Sequence, residues 1–225
     1  MGIRERHESL EARLFEACHK AGRAREDVVL VAVSKRHPAS AIDEAVGLGL
    51  TEFGENYVQE AVDKFPRPGA NLHFIGHLQR NKIRKVLGIA SLVHGVGSLS
   101  VLEAVDRISG EEGLSARFLI QLHLTGEPTK TGFAADELSV ALEACRGLRH
   151  AKFCGFMAMA PLDENLDAAR ETFARAREIA TRSRTDFPQA TLLSMGMSHD
   201  LEAAILEGAT HVRVGTALFG EREAP

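Results

Sequence analysis

The chain has 225 residues, 44% of them hydrophobic and 26% charged, with a formal net charge of -4; these are ordinary values for a globular protein with enough material to bury a core. The mildly acidic balance excludes a strongly basic nucleic-acid reader, and the lack of Trp with only 5% aromatic residues argues against base stacking. No apolar run approaches the roughly 18 residues of a membrane span, the N-terminus is charged throughout, and Cys18, Cys145 and Cys154 form no disulfide framework, so a cytoplasmic protein is expected.

In chain order, Ile3, Leu10, Leu14, Phe15 and Cys18 fall near helical spacing and predict an amphipathic leading helix within residues 1–22, ended by Gly22. VVLVAVS (28–34) is a continuous β-branched run, the signature of a strand buried on both faces. The alternation then repeats. PASAIDEAVGLG reads as a helix, TEF as a short strand and ENYVQEAVDKF as a helix. LHFI, SLVHGV, ARFLIQLHL, HAKFCGFMAM, ATLLSMG and THVRVG read as further strands. Between them lie helices in LQRNKIRKVLG, SLSVLEAVDRIS, DELSVALEACRG, NLDAARETFARAREIATRSR and SHDLEAAILEG, and a short FGER tail follows. Strict βα alternation with apolar strands means an α/β fold with a parallel sheet. An open doubly wound sheet and a closed barrel both satisfy it. Eight units without a composition break favour a single (β/α)8 TIM-type barrel over 28–220, behind a leading N-terminal helix, with 1–225 as one domain.

In such a barrel, working groups sit at the C-terminal strand ends. Alternation from Val31 and Val33 carries Lys35 to the inner face, where a partly desolvated amine is a nucleophile toward carbonyls; a solvated loop lysine is the alternative. SMGMSHD (194–200) is a glycine turn before a helix, so it serves either as an anion site or, through Ser198 and Asp200, as plain capping. In HVRVGTALFG, Arg213 interrupts an apolar strand, at a cost unless paired, and Gly215 and Thr216 offer N–H and hydroxyl donors. These are the last two strand-end loops, the common phosphate position in this architecture. Asn56 in FGENYVQE either lines the mouth or caps a helix. His73 and His77 do not form a metal pair, Lys130 reads as a surface charge, and Tyr57 is a weak candidate base.

A lysine at one strand end and a phosphate cup at two others suit one ligand with an aldehyde and a phosphate, pyridoxal 5'-phosphate (PLP). Arg213 would then face the pyridine nitrogen and keep it unprotonated, a poorer electron sink. The segments AVSKRHPASAIDEAVGLGLTEFGENYVQE, HFIGHLQRNK, GFMAMAPL and SMGMSHDLEAAILEGATHVRVGTALFGER resemble the pyridoxal phosphate homeostasis proteins, barrels similar to the N-terminal domain of alanine racemase. The resemblance runs from about Val28 to Arg222. It implies a PLP-binding role in vitamin B6 homeostasis with Lys35 as the Schiff-base lysine. The cofactor-binding set it implies is Lys35, Asn56, Met157, Ser194, Gly196, Met197, Ser198, Arg213, Gly215 and Thr216, with the stretch His73 to His77 at the edge. In the TKTGF loop, Thr129 stands where the family often has serine.

The resemblance implies no catalysis, no metal, and PLP-dependent apo-enzymes as recipients of the cofactor; a monomer is expected. The competing reading is an amino-acid racemase-like PLP enzyme, which needs an acid/base group on each face of its substrate. The family's relatives take the second group from another domain, and with only about ten residues after the last strand no such domain is expected here. A phosphate-sugar barrel enzyme without a Schiff base is a third reading.

Overall fold

The computed structural model describes residues 2–125, 131–161 and 166–221. Thr129, Lys130 and Arg222 lie outside the described residues. Eight parallel strands close into a barrel in sequence order: β1 (Val29–Val33), β2 (Glu52–Glu55), β3 (Asn71–Phe74), β4 (Ala90–Val96), β5 (Arg117–Gln121), β6 (Lys152–Met157), β7 (Leu192–Ser194) and β8 (His211–Val214). β8 pairs back onto β1, with Val31 opposite Arg213. The connecting helices are α2 (Ala39–Gly47), α3 (Val58–Lys64), α4 (Ile83–Leu87), α5 (Leu99–Glu111), α6 (Leu138–Arg146), α7 (Leu166–Ser183) and α8 (Leu201–Leu206). The leading helix is α1 (Ile3–Lys20), and a short α9 (Thr216–Phe219) follows β8. No described helix is long and apolar enough to cross a membrane.

Period-two alternation sorts the strand residues into two layers. Leu30, Ala32, Phe53, Phe74, Phe118, Ile120, Phe156, Leu193 and Val212 face outward and join the large core beneath the helices. The alternate positions face the barrel interior. There, Val31 and Val33 lie beside Gly54, and Leu92, Leu119 and Met157 form a small apolar cluster. The rest of the interior is unusually polar: His73, His94, Gln121, Ser194, His211 and Arg213 are all buried.

Helix α1 lies against α8 and α9, where Leu10 and Leu14 are buried, each worth roughly 2 kcal/mol of burial. Arg6 donates to the Leu218 and Phe219 carbonyls at 2.8 and 3.0 Å, and Arg13 donates to the Ser198 carbonyl at 3.0 Å and to Glu202 at 2.9 Å. The leading helix thus fastens the two strand-end loops that follow β7 and β8.

Three local expectations change. β2 runs on through Glu55, and α3 starts only at Val58, because Glu55 finds a buried partner nine residues later in Lys64. The basic LQRNKIRKVLG stretch breaks into a 3-10 turn, Arg80–Lys82, before α4. A short helix, α9, follows Gly215 and takes in Phe219, the first residue of the expected FGER tail.

Candidate functional site

A cavity of about 230 Å³ opens at the C-terminal ends of the strands. Of the ten predicted site residues, eight line it: Lys35, Asn56, Met157, Met197, Ser198, Arg213, Gly215 and Thr216. Barrel closure is what joins the first of these to the last, since β1 and β8 are neighbours. Ser194 and Gly196 lie beneath the lining, both buried. His37, Ile75, Met159 and His199 also line the cavity; Ile75 lies in the stretch His73 to His77 expected at its edge, whereas His37 and His199 carried no such expectation. His37 stacks on Phe219 of α9, ring centroids 5.1 Å apart.

At the β1 end, the backbone turns sharply after Lys35. Arg36 has φ 63°, a left-handed conformation that costs a side-chain-bearing residue about 1 kcal/mol. Two contacts hold it there. Glu60 accepts the Arg36 N–H at 2.7 Å, and Lys64 Nζ donates to the Ser34 carbonyl at 3.0 Å. Lys64 spends its other donors on Glu55 at 2.8 Å and Glu60 at 2.7 Å. The Lys64 side chain is 9% exposed and that of Glu55 is fully buried. Burial pushes the Glu55 carboxyl upward against the pull of Lys64 and Ser34. Burial also works to raise Glu60, but the Lys64 and Arg36 hydrogen bonds outweigh it and leave Glu60 below its ordinary value.

Asn56 sits just past β2, and it does not cap α3, whose N-cap is Tyr57. Backbone contact fixes it: a Cβ on Gly76 would fall 2.0 Å from the Asn56 carbonyl oxygen, so only glycine permits the approach. Its Oδ1 is buried with no hydrogen-bond partner among the described residues. A buried acceptor of this kind at a cavity wall points to a ligand donor.

At the β7 loop, Gly196 has φ 91° and a Cβ there would meet Ala204 at 2.5 Å. The turn is closed by Asp200, which accepts the Met197 N–H at 2.5 Å. Asp200, and not Ser198, stands at the N-cap of α8. Ser198 is released to the cavity side, where its hydroxyl accepts the Ala217 N–H at 3.4 Å and links the two loops.

Arg213 is 5% exposed. It donates to Ser194 Oγ at 2.6 Å and to the Ala158 carbonyl at 3.1 Å. Burial lowers its pKa to about 10, opposed by Asp200, so it is still a cation at neutral pH. His73, expected at the edge of the cavity, lies deeper in the barrel and contacts His94 at 2.9 Å. His77 faces a separate concavity with Tyr57. No group of acidic, His or Cys side chains suited to a metal occurs among the described residues.

Residues 12–223 match the family described as alanine racemase, N-terminal domain. The pyridoxal phosphate homeostasis protein of Pseudomonas aeruginosa is 40% identical over 98% of this chain and 96% of its own length. PipY of Synechococcus elongatus, solved without PLP, is similar at a TM-score of 0.87 and 39% identity, over 97% of this chain and 100% of that one. The same protein with PLP bound gives a TM-score of 0.85 at 38% identity, over 97% of this chain and 100% of that one.

Proposed function

We propose that this chain, which belongs to the pyridoxal phosphate homeostasis family and carries the alanine racemase N-terminal domain, binds PLP in the cavity at the barrel mouth and holds it in reserve. The observation that carries the reading is the lining of that one cavity: the Lys35 amine, the Arg213 guanidinium and the two strand-end loops of β7 and β8 all meet there. The buried, unpartnered Asn56 Oδ1 supports it, as an acceptor for a ligand donor.

In this reading, Lys35 attaches the cofactor as a Schiff base, and Ser198, Gly215 and Thr216, with the Gly196–Met197 backbone, hold its phosphate. Arg213 faces the pyridine nitrogen, and Met157 packs against the ring. Bound PLP supplies an aldehyde for amine condensation and an electron-accepting ring. Beside an arginine that remains cationic, the ring nitrogen stays unprotonated and the ring is a weak electron sink, which suits storage and hand-over to apo-enzymes better than carbanion chemistry. The barrel is taken to work as one domain and as a monomer.

The test is an absorbance spectrum of the purified protein with PLP, followed by borohydride reduction and peptide mapping. A visible band and a reduced adduct on Lys35 are expected, and Lys35→Ala should lose both. An adduct on another lysine, or no band in the wild type, overturns the reading. L-Alanine incubated with the loaded protein should keep its optical rotation; turnover abolished by Lys35→Ala would instead make it a racemase-like enzyme.

A further inference from the structure

A chain of polar side chains runs through the barrel interior up to the cavity. Glu52 Oε2 lies 2.7 Å from His73 Nε2, and His73 Nδ1 lies 2.9 Å from His94 Nε2. His94 Nδ1 is 2.9 Å from Ser194 Oγ, which is 2.6 Å from an Arg213 amino group. Glu52 opens β2, at the end of the barrel away from the cavity. The five residues come from five different strands.

The chemistry of the two ends sets the direction of every link. A guanidinium only donates, so Ser194 Oγ accepts from Arg213. A carboxylate only accepts. Burial works to raise the Glu52 pKa, but hydrogen bonds from His73, Asn71 and Thr51 outweigh it and hold the group at about 2, so it is ionised. His73 therefore donates from Nε2. With both rings neutral, His73 Nδ1 accepts from His94 Nε2–H, and His94 Nδ1 accepts the Ser194 hydroxyl proton. Each donor and acceptor along the chain is then matched. The reverse polarity between the rings puts a second proton on His73, with the His94 and His211 ring centroids 5.1 and 5.8 Å away. It also leaves the Ser194 hydroxyl proton without an acceptor in the chain. Burial, with the Arg213 cation, opposes a charge on His94.

We infer that this chain is a one-way positioning relay, in which Glu52, His73, His94 and Ser194 pin the Arg213 guanidinium in the cavity wall from an anchor at the far end of the barrel. The inference rests on the reading of the cavity as a PLP site with Arg213 toward the ring. The second pin, the Ala158 carbonyl, comes from the loop after β6. Two contacts, one from β7 and one from the loop after β6, fix the plane of a group that otherwise swivels on a long stem.

The first test needs no cofactor. In the full-length protein with nitrogen-15 histidine, long-range proton–nitrogen correlation at neutral pH should place the protons of His73 and His94 on Nε2. A proton on Nδ1 of either ring overturns the relay. The second test reads the bound cofactor. Glu52→Leu removes the terminal acceptor far from the cavity and should shift the absorbance maximum and weaken PLP binding about tenfold. Glu52→Gln keeps an acceptor and should restore the wild-type band. An unchanged spectrum and affinity in Glu52→Leu overturn the inference. Absence of the band in the wild type counts instead against the PLP reading, and the nitrogen shifts still decide the relay.

Discussion

Lys35 and Arg213 line one cavity, Lys35 just past the end of β1 and Arg213 on the neighbouring β8, and the fold supports them by different means. The Lys35 end is held from outside the barrel by charges: Lys64, Glu55 and Glu60 grip the backbone on either side of the lysine, through the Ser34 carbonyl and the Arg36 N–H. Arg213 is held from inside, by its own side chain, through Ser194 and two histidines. The difference follows from what each cation can do. Under the proposed function the Lys35 amine condenses with an aldehyde and must shed its proton to do so, and the clamp acts on the backbone beside it. A guanidinium does not give up its proton under working conditions, so its side chain can be pinned directly.

The sharpest way to break the comparison is at the clamp. Lys64→Met leaves Glu55 and Glu60 without their cation, with Glu55 fully buried; urea unfolding should show a loss of about 3–5 kcal/mol. Adding Glu55→Gln should recover part of it. A loss within about 0.5 kcal/mol of wild type, the ordinary range for surface sites, would mean the clamp does not hold the β1 end.

A smaller effect separates the two supports by pH. Burial depresses His94, and it lowers His211 to about 3. In the unfolded chain these histidines take up protons below about pH 6.5, while the folded protein does not. Their contribution to stability is complete above that value and is lost as pH falls toward the folded values, at about 1.4 kcal/mol per pH unit for each histidine. Glu55 works the other way, since burial raises its pKa and its contribution fades as pH rises through the folded value. The histidines are two and the carboxyl one, so the urea midpoint should fall between pH 7 and about 5. A flat or rising midpoint would place charge on the interior histidines in the folded protein.

The smallest effect belongs to the turn itself. Arg36→Gly removes the side chain from a left-handed φ of 63° and should change stability by no more than about 1 kcal/mol, toward gain, because strain relief opposes the added freedom of the unfolded glycine. The Lys35 adduct should form at the wild-type level, as followed by the absorbance band.

Much of this was legible along the chain. Alternation through Val31 and Val33 gave their inward direction and carried Lys35 to the mouth, and the glycine-rich loops after the last two strands stood out as breaks in apolar runs. Other parts were opaque for identifiable reasons. Glu55 reads as the first residue of a helix because the apolar run stops at a charge, and its partner Lys64 lies on α3. Ser198 looked like a cap because a serine before a helix usually is one, until Asp200 takes the turn. His94 sat unnoticed in SLVHGV, since its partner Ser194 is 100 residues away.

The amino-acid sequence by itself determined the alternation of strands and helices and the strand ends at which polar groups gather, because these depend on periodicities of two and 3.6 residues that each segment carries alone; the count of eight units favoured a closed barrel over an open sheet without deciding it. Only the tertiary structure decided which inward side chains meet. Closure lays β8 beside β1 and sets Val31 against Arg213, and it aims residues of β2, β3, β4 and β7 at one axis. A hydrogen bond needs its two atoms within about 3 Å, and no local pattern fixes that distance between strands far apart in the chain.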